Sequence, residues 1–181
     1  AAAGVRLVSV DRAGYGGSSP LPAGTAPAIT GFADDLAAAL RHLGIADAGV
    51  AGWSGGGRVA AALAARHPEM VRALAIVGTP APHEDVPWIP DENMAMMEPL
   101  RGDPAGAVEV LTPVFAEMAA SPAAGVGAVM GGADDEAVLA ADPGLRERLE
   151  AAMAEAFAQG SVGVAADIVS YTLVPWGFDP A

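Results

Sequence analysis

Three short apolar runs alternating with helical segments predict an α/β fold, a partial parallel sheet of three strands with flanking helices, followed by a long helical stretch without strands. The runs are VRLVSV at 5–10, DAGVAGW at 47–53 and VRALAIVG at 71–78. Strand, helix, strand, helix, strand at this spacing is the signature of an α/β unit with parallel strands.

Each element has its own signal. VRLVSV is β-branched and too short for a helix. In DRAGYGGSSPLPAGTAPAIT, Gly and Pro recur every few positions and predict a turn and a long connection. Thr30 is expected to cap a helix through about Leu43, with Phe32, Leu36, Ala39, Leu40 and Leu43 on one stripe and Gly44 as its stop signal. DAGVAGW is weak by propensity and becomes a strand by its position. The next helix should run from about Gly55 to His67 and stop at Pro68. From about His83 to Pro175 the chain holds Ala-, Met- and Glu-rich segments broken by Pro and Gly, hence short helices. The clearest is DPGLRERLEAAMAEAFAQG, with Asp142 as cap, Pro143 at its first position and Gly160 at its end.

Composition narrows the function. The 181 residues fit one domain, and 52% hydrophobic residues supply a core. A net charge of −13, with Arg as its basic residue, argues against nucleic acid or an anionic lipid surface as partner. The absence of cysteine excludes disulfides, thiolate metal sites and thiol catalysis. His42, His67 and His83 lack the spacing of zinc ligands, so no metal and no cofactor are expected. No apolar run approaches a membrane span, and the start AAAGVRLVSV lacks the pattern of a signal peptide, so the expected location is cytoplasmic. The first apolar run begins at Val5 with no Met before it, which suggests a piece of a longer protein.

Gly52, Ser54 and Gly56 form G-x-S-x-G where the second strand passes into a helix. Three successive glycines, at 55 to 57, open that helix although each costs up to about 1 kcal/mol against Ala inside a helix. A steric demand therefore outweighs propensity. A nucleophile on a sharp strand-to-helix turn sits in strained backbone, and Gly55 and Gly56 are expected to give strand and helix room to approach. The helix N-terminus favours developing negative charge, which makes the Gly55 N–H half of an oxyanion hole. A dinucleotide-binding turn would also use glycines here, but the following strand ends AIVGTP with no acidic residue for a ribose.

VDRAGYGGSSP, GWSGGG and AARHPEMVRALAIVGTPAP resemble, in order and spacing, the central part of the α/β-hydrolase superfamily, in its serine-hydrolase branch. The resemblance implies that these are the family's fourth strand and loop, its nucleophile elbow, and its sixth strand with the helix before it. It makes Ser54 the nucleophile and Gly55 the oxyanion donor. It also implies three parts: residues 1–82 as the central core, 83–175 as a helical cap, and 176–181 as the start of a C-terminal core.

The strands that would carry the other oxyanion donor, the catalytic acid and the histidine have no counterpart in this sequence. The family's third strand would lie between the runs at 5–10 and 47–53, so the first run has lost its neighbours and is expected either to be left exposed or to pair directly with the second. Without a base a serine hydroxyl is a poor nucleophile, and losing the histidine of a comparable triad lowers kcat by on the order of 10⁶. The expectation is an ester or small-acyl hydrolase that is inert as this isolated chain; the alternative is a non-catalytic binding protein of the same fold. The substrate would be a small molecule; the oligomeric state is open.

Other residues carry two readings each. Asp11 and Arg12 could line the site or form an ion pair that anchors the loop. Asp34 and Asp35 suit a helix dipole. Trp53 could contact substrate or pack beneath the elbow. Trp88, with Met94, Met96 and Met97, could wall the serine or pack the cap. Glu84 and Asp85 lie where some family members place the acid, or are simply solvated.

Overall fold

The computed structural model describes residues 4–130 and 132–179. Helix α1 (Ile29–His42) leads to strand β1 (Ala48–Trp53), helix α2 (Gly55–Arg66), a 3₁₀ turn at Pro68–Met70 and strand β2 (Val71–Val77). Strands β1 and β2 run parallel, from Gly49 opposite Ala73 to Trp53 opposite Val77. The sheet therefore has two strands among the described residues, where the sequence led us to expect three.

Residues 5–10 are the missing strand, and the reason is the lack of a partner. A cavity of about 760 Å³ separates Val5–Arg12 from β1 and the flank of α1. A strand exists through its hydrogen-bonded neighbour, and here neither edge has one. Val5 and Leu7 are left in the open, Leu7 at 90% exposure, while Val8 and Val10 are half-buried. Direct pairing of this run with β1 does not occur.

Helix α1 also departs from expectation. It begins after Ala28, and Thr30 is inside its first turn with no capping role. The buried stripe is Ile29, Phe32, Ala33, Ala37 and Leu40, rotated from the expected one. This face packs on Val59, Ala62 and Leu63 of α2, whereas Leu36 and Ala39 flank the open cavity and Leu43 is exposed. Burial follows the neighbour that is present. At its end Gly44 takes φ 71°. The N–H of Gly44 then reaches the Arg41 carbonyl (3.0 Å) and that of Ile45 the Leu40 carbonyl (2.9 Å), a Schellman closure that glycine makes possible.

Beyond β2 come seven helices among the described residues: α3 (Asp91–Met97), α4 (Pro104–Leu111), α5 (Ala116–Ala120), α6 (Pro122–Val129), α7 (Ala133–Ala141), α8 (Pro143–Ala156) and α9 (Val162–Thr172). Met97, Ala107, Leu111, Ala165, Val169 and Leu173 form their core. Ala166 of α9 belongs instead to the core around α1 and α2, so α9 joins the two. Trp176 and Phe178, stacked at 5.6 Å, pack on that first core. No helix among the described residues is long and apolar enough to cross a membrane.

Candidate active site

Ser54 joins β1 to α2 with φ 50° and ψ −125°, the one non-glycine residue with positive φ among those described. Its N–H donates to the Val77 carbonyl (2.9 Å) and its carbonyl accepts from the Gly57 N–H (3.1 Å). It is exposed, and although it occupies the N-cap position its hydroxyl caps nothing. The Oγ is thus free, at the open end of a helix whose first N–H groups have no partner within the helix.

The glycines serve different neighbours than expected. A Cβ on Gly52 would lie 2.5 Å from the Gly56 oxygen and the Gly57 Cα, so Gly52 is what lets the strand and helix close. A Cβ on Gly55 would lie 2.7 Å from the Tyr171 hydroxyl, and one on Gly57 would collide with the Thr79 side chain. Gly56 faces open space. Room is therefore supplied by Gly52, Gly55 and Gly57, and Gly56 contributes only its backbone.

None of the three histidines hydrogen-bonds Ser54. His42 is exposed at the end of α1. His67 closes α2, with Nε2 2.8 Å from Asp34 Oδ1 and Nδ1 3.3 Å from Arg41. His83 uses Nδ1 to accept the N–H groups of Trp88 and Ile89, both at 3.1 Å. Glu84 and Asp85 are exposed on the turn after β2. Among the described residues no group of three His, Cys, Asp or Glu converges as metal ligands would.

Trp53 is 63% exposed beside Ser54, so it does not pack beneath the elbow. Trp88 is 41% exposed, donates Nε1–H to the Ala81 carbonyl (3.1 Å), and lies with its ring 5.0 Å from the Arg58 guanidinium carbon. Met97 is in the helical core, while Met96 is exposed and Met94 half-buried, so the methionines do not act as one wall.

Two buried polar groups escaped sequence reasoning. Arg58, one turn after Ser54, is 2% exposed under the rings of Tyr171 (4.4 Å), Trp88 and Trp176 (5.5 Å), with Nε–H on the Pro80 carbonyl (3.2 Å). Burial pushes its pKa down. An arginine on the inward face of an Ala-rich helix was the available signal. The second is Asp167 of α9, which accepts Arg12 through both oxygens and the Tyr15 hydroxyl at 2.9 Å. The expected Asp11–Arg12 pair is thus replaced by a bond to a residue 155 positions away. Burial alone would lower the Arg12 pKa, but the Asp167 charge and hydrogen bonds more than reverse this and raise it. Burial, then the Asp167 charge, raises that of Tyr15.

A parallel β–α–β unit with a strained serine at its crossover is the architecture of the hydrolases that carry a nucleophile elbow. A family model described as alpha/beta hydrolase fold matches residues 1–102, more than half of the chain, and the protein belongs to that family. It is 41% identical over 101 residues, 55% of its length, to pimeloyl-[acyl-carrier protein] methyl ester esterase of Chromobacterium violaceum. The chain spans 37% of that relative's length. An alpha/beta hydrolase fold protein from Nakamurella multipartita is similar in structure, with 27% identity, a TM-score of 0.46, and coverage of 89% of this chain and 56% of the other.

Proposed function

We propose that the protein is a serine hydrolase that cleaves an ester or related small acyl substrate, and that residues 1–82 form the central core and 83–175 a helical cap, with 176–181 returning to the core; residues 1–3, 131, 180 and 181 lie outside those described. The observation that carries this reading is the strained, uncapped Ser54 between β1 and α2. Ser54 Oγ attacks the substrate carbonyl while a base takes its proton; the alcohol leaves with a proton, and water then releases the acid from Ser54. The Gly55 N–H stabilises the oxyanion. Trp53 and Trp88 contact the substrate. The relative's name, a methyl ester esterase, supports an ester as substrate class. Among the described residues no side chain hydrogen-bonds Ser54 Oγ as a base would, which supports the reading that the chain by itself is inert.

The same lack of a base favours a second reading, a non-catalytic binding protein. Fluorophosphonate labelling read by intact mass, beside Ser54→Ala, separates the two. The isolated chain should not label, whereas the protein carrying whatever coding sequence flanks this chain should label at Ser54 and lose the label in the variant. Labelling of the isolated chain would refute its inertness, and no labelling of the longer protein would favour the binding protein.

A further inference from the structure

We infer that Thr79 is a positioning residue that aims the Gly55 N–H through the Ser54 peptide, an assignment that rests on the reading of Ser54 and Gly55 as nucleophile and oxyanion donor. A non-glycine residue at positive φ persists only where its surroundings over-determine it. Two of the contacts that hold Ser54 are backbone and come with any strand-to-helix turn of this kind: the rung to Val77 and the Gly57 N–H. The third is a side chain. Thr79 Oγ1 donates to the Ser54 carbonyl at 2.7 Å, with the Val77 carbonyl much farther at 3.5 Å.

Two glycines are placed to permit this bond. Gly78 takes φ 57° directly after β2 and turns the chain back toward the elbow. Gly57 offers the space that the Thr79 side chain fills, where a Cβ would collide with it. The last of the three glycines thus makes room for Thr79, while the strand-to-helix approach depends on Gly52.

The consequence follows from the planar, trans peptide. The Ser54 carbonyl and the Gly55 N–H belong to one peptide unit and point in opposite directions. Fixing the oxygen fixes the direction of the N–H. A hydrogen bond accepted by the carbonyl also polarises the unit and strengthens the N–H as a donor. Thr79 touches neither substrate nor reacting atoms; it sets the donor that does.

The test compares Thr79→Val with Thr79→Ser in the chain itself, by the Ser54 carbonyl ¹³C and Gly55 amide ¹⁵N shifts and by the thermal midpoint. Val should move both signals at little change in midpoint, and Ser should restore them. Unmoved signals in Val, or a failure of Ser to restore them, would overturn the assignment. Should Val not fold, Thr79→Ala removes the hydroxyl without its bulk and is read the same way. In the longer protein, Val should slow Ser54 labelling about tenfold, since a misaimed oxyanion donor loses much of its effect. A wild type that never labels would strike the nucleophile reading and leave the shifts standing; unmoved shifts would strike Thr79 and leave labelling standing.

Discussion

Three helices of the helical region begin with a side-chain cap, whereas neither helix of the elbow region does. Helices α4, α6 and α8 start at Asp103, Ser121 and Asp142, each followed by proline, and each side chain accepts a backbone N–H at 3.0 to 3.1 Å. Helices α1 and α2 have no side-chain cap. A serine, a strong capping residue, stands at the start of α2 and is withheld from that use by its backbone conformation. Helices α3, α5 and α9 are also uncapped, so an open start is not special to α2; what sets α2 apart is a capping residue that is held at positive φ and unused as a cap.

The largest effect should come from cutting the link between the two regions. Asp167→Ala leaves Arg12 and Tyr15 without their buried acceptor, and breaking a buried ion pair from one side costs about 3–5 kcal/mol. Chemical denaturation would measure it. A loss below about 1 kcal/mol would mean that α9 is held by its apolar contacts alone. Next in size is Gly52→Ala, whose Cβ meets backbone that cannot rotate away, at a cost of about 3 kcal/mol, the upper end for overpacking. Gly56→Ala should be neutral or stabilising by up to about 1 kcal/mol, because its surroundings are open and Ala favours the helix. Equal effects of the two substitutions would show that the close approach is not what the glycines serve.

The sequence made the order of elements legible because local signals govern it: Gly44 ends α1, Pro68 ends α2, and G-x-S-x-G falls at the crossover. The Asp-Pro cap at 142 was read, while the same signal at Asp103-Pro104 and Ser121-Pro122 was passed over. What failed depends on distant partners. VRLVSV has strand propensity, but the edge it would pair with lies across a cavity. The buried face of α1 was set by α2, and the partner of Arg12 lies on α9. At the candidate site, the strained turn at Ser54 was legible from its motif, whereas which glycine serves which neighbour was not, since Tyr171 and Thr79 come from elsewhere in the chain.

The contrast in capping predicts a smaller pair of effects. Asp103→Ala removes a working cap and should cost about 1 kcal/mol. Ser54→Ala removes no cap and should leave stability within about 0.5 kcal/mol. Ser54→Gly should stabilise by about 1 kcal/mol, because glycine adopts the positive φ without the Cβ penalty. Thermal melts of the three variants check the order. Destabilisation by Ser54→Ala as large as by Asp103→Ala would mean that the hydroxyl holds the helix after all.

The smallest effect concerns acid. Asp34 accepts both Arg66 nitrogens (3.0 and 2.7 Å) as well as His67, and ties α1 to the end of α2. It is in the second turn of α1, so this clamp replaces the helix-dipole role expected for it. The Arg66 hydrogen bonds hold the carboxyl below its usual pKa; burial opposes them, and the His67 hydrogen bond with the charges of both partners adds to the lowering. A carboxyl depressed in the folded state contributes stability that is present above its unfolded pKa and is lost as pH falls through the folded one. The side chain is 43% exposed, so solvent screening keeps the contribution below about 1 kcal/mol. Asp34→Asn should therefore lower the melting temperature slightly at neutral pH and flatten its fall between about pH 4 and the lower pKa. In the helical region the Arg148 hydrogen bond likewise depresses Asp142, but its side chain, 53% exposed, caps one helix only, so its loss of charge in acid loosens that helix start rather than the contact between α1 and α2. The two aspartates thus separate a clamp between helices from a cap on one helix: the first is felt as acid sensitivity of the whole unit, the second as local fraying at Gly144 and Leu145.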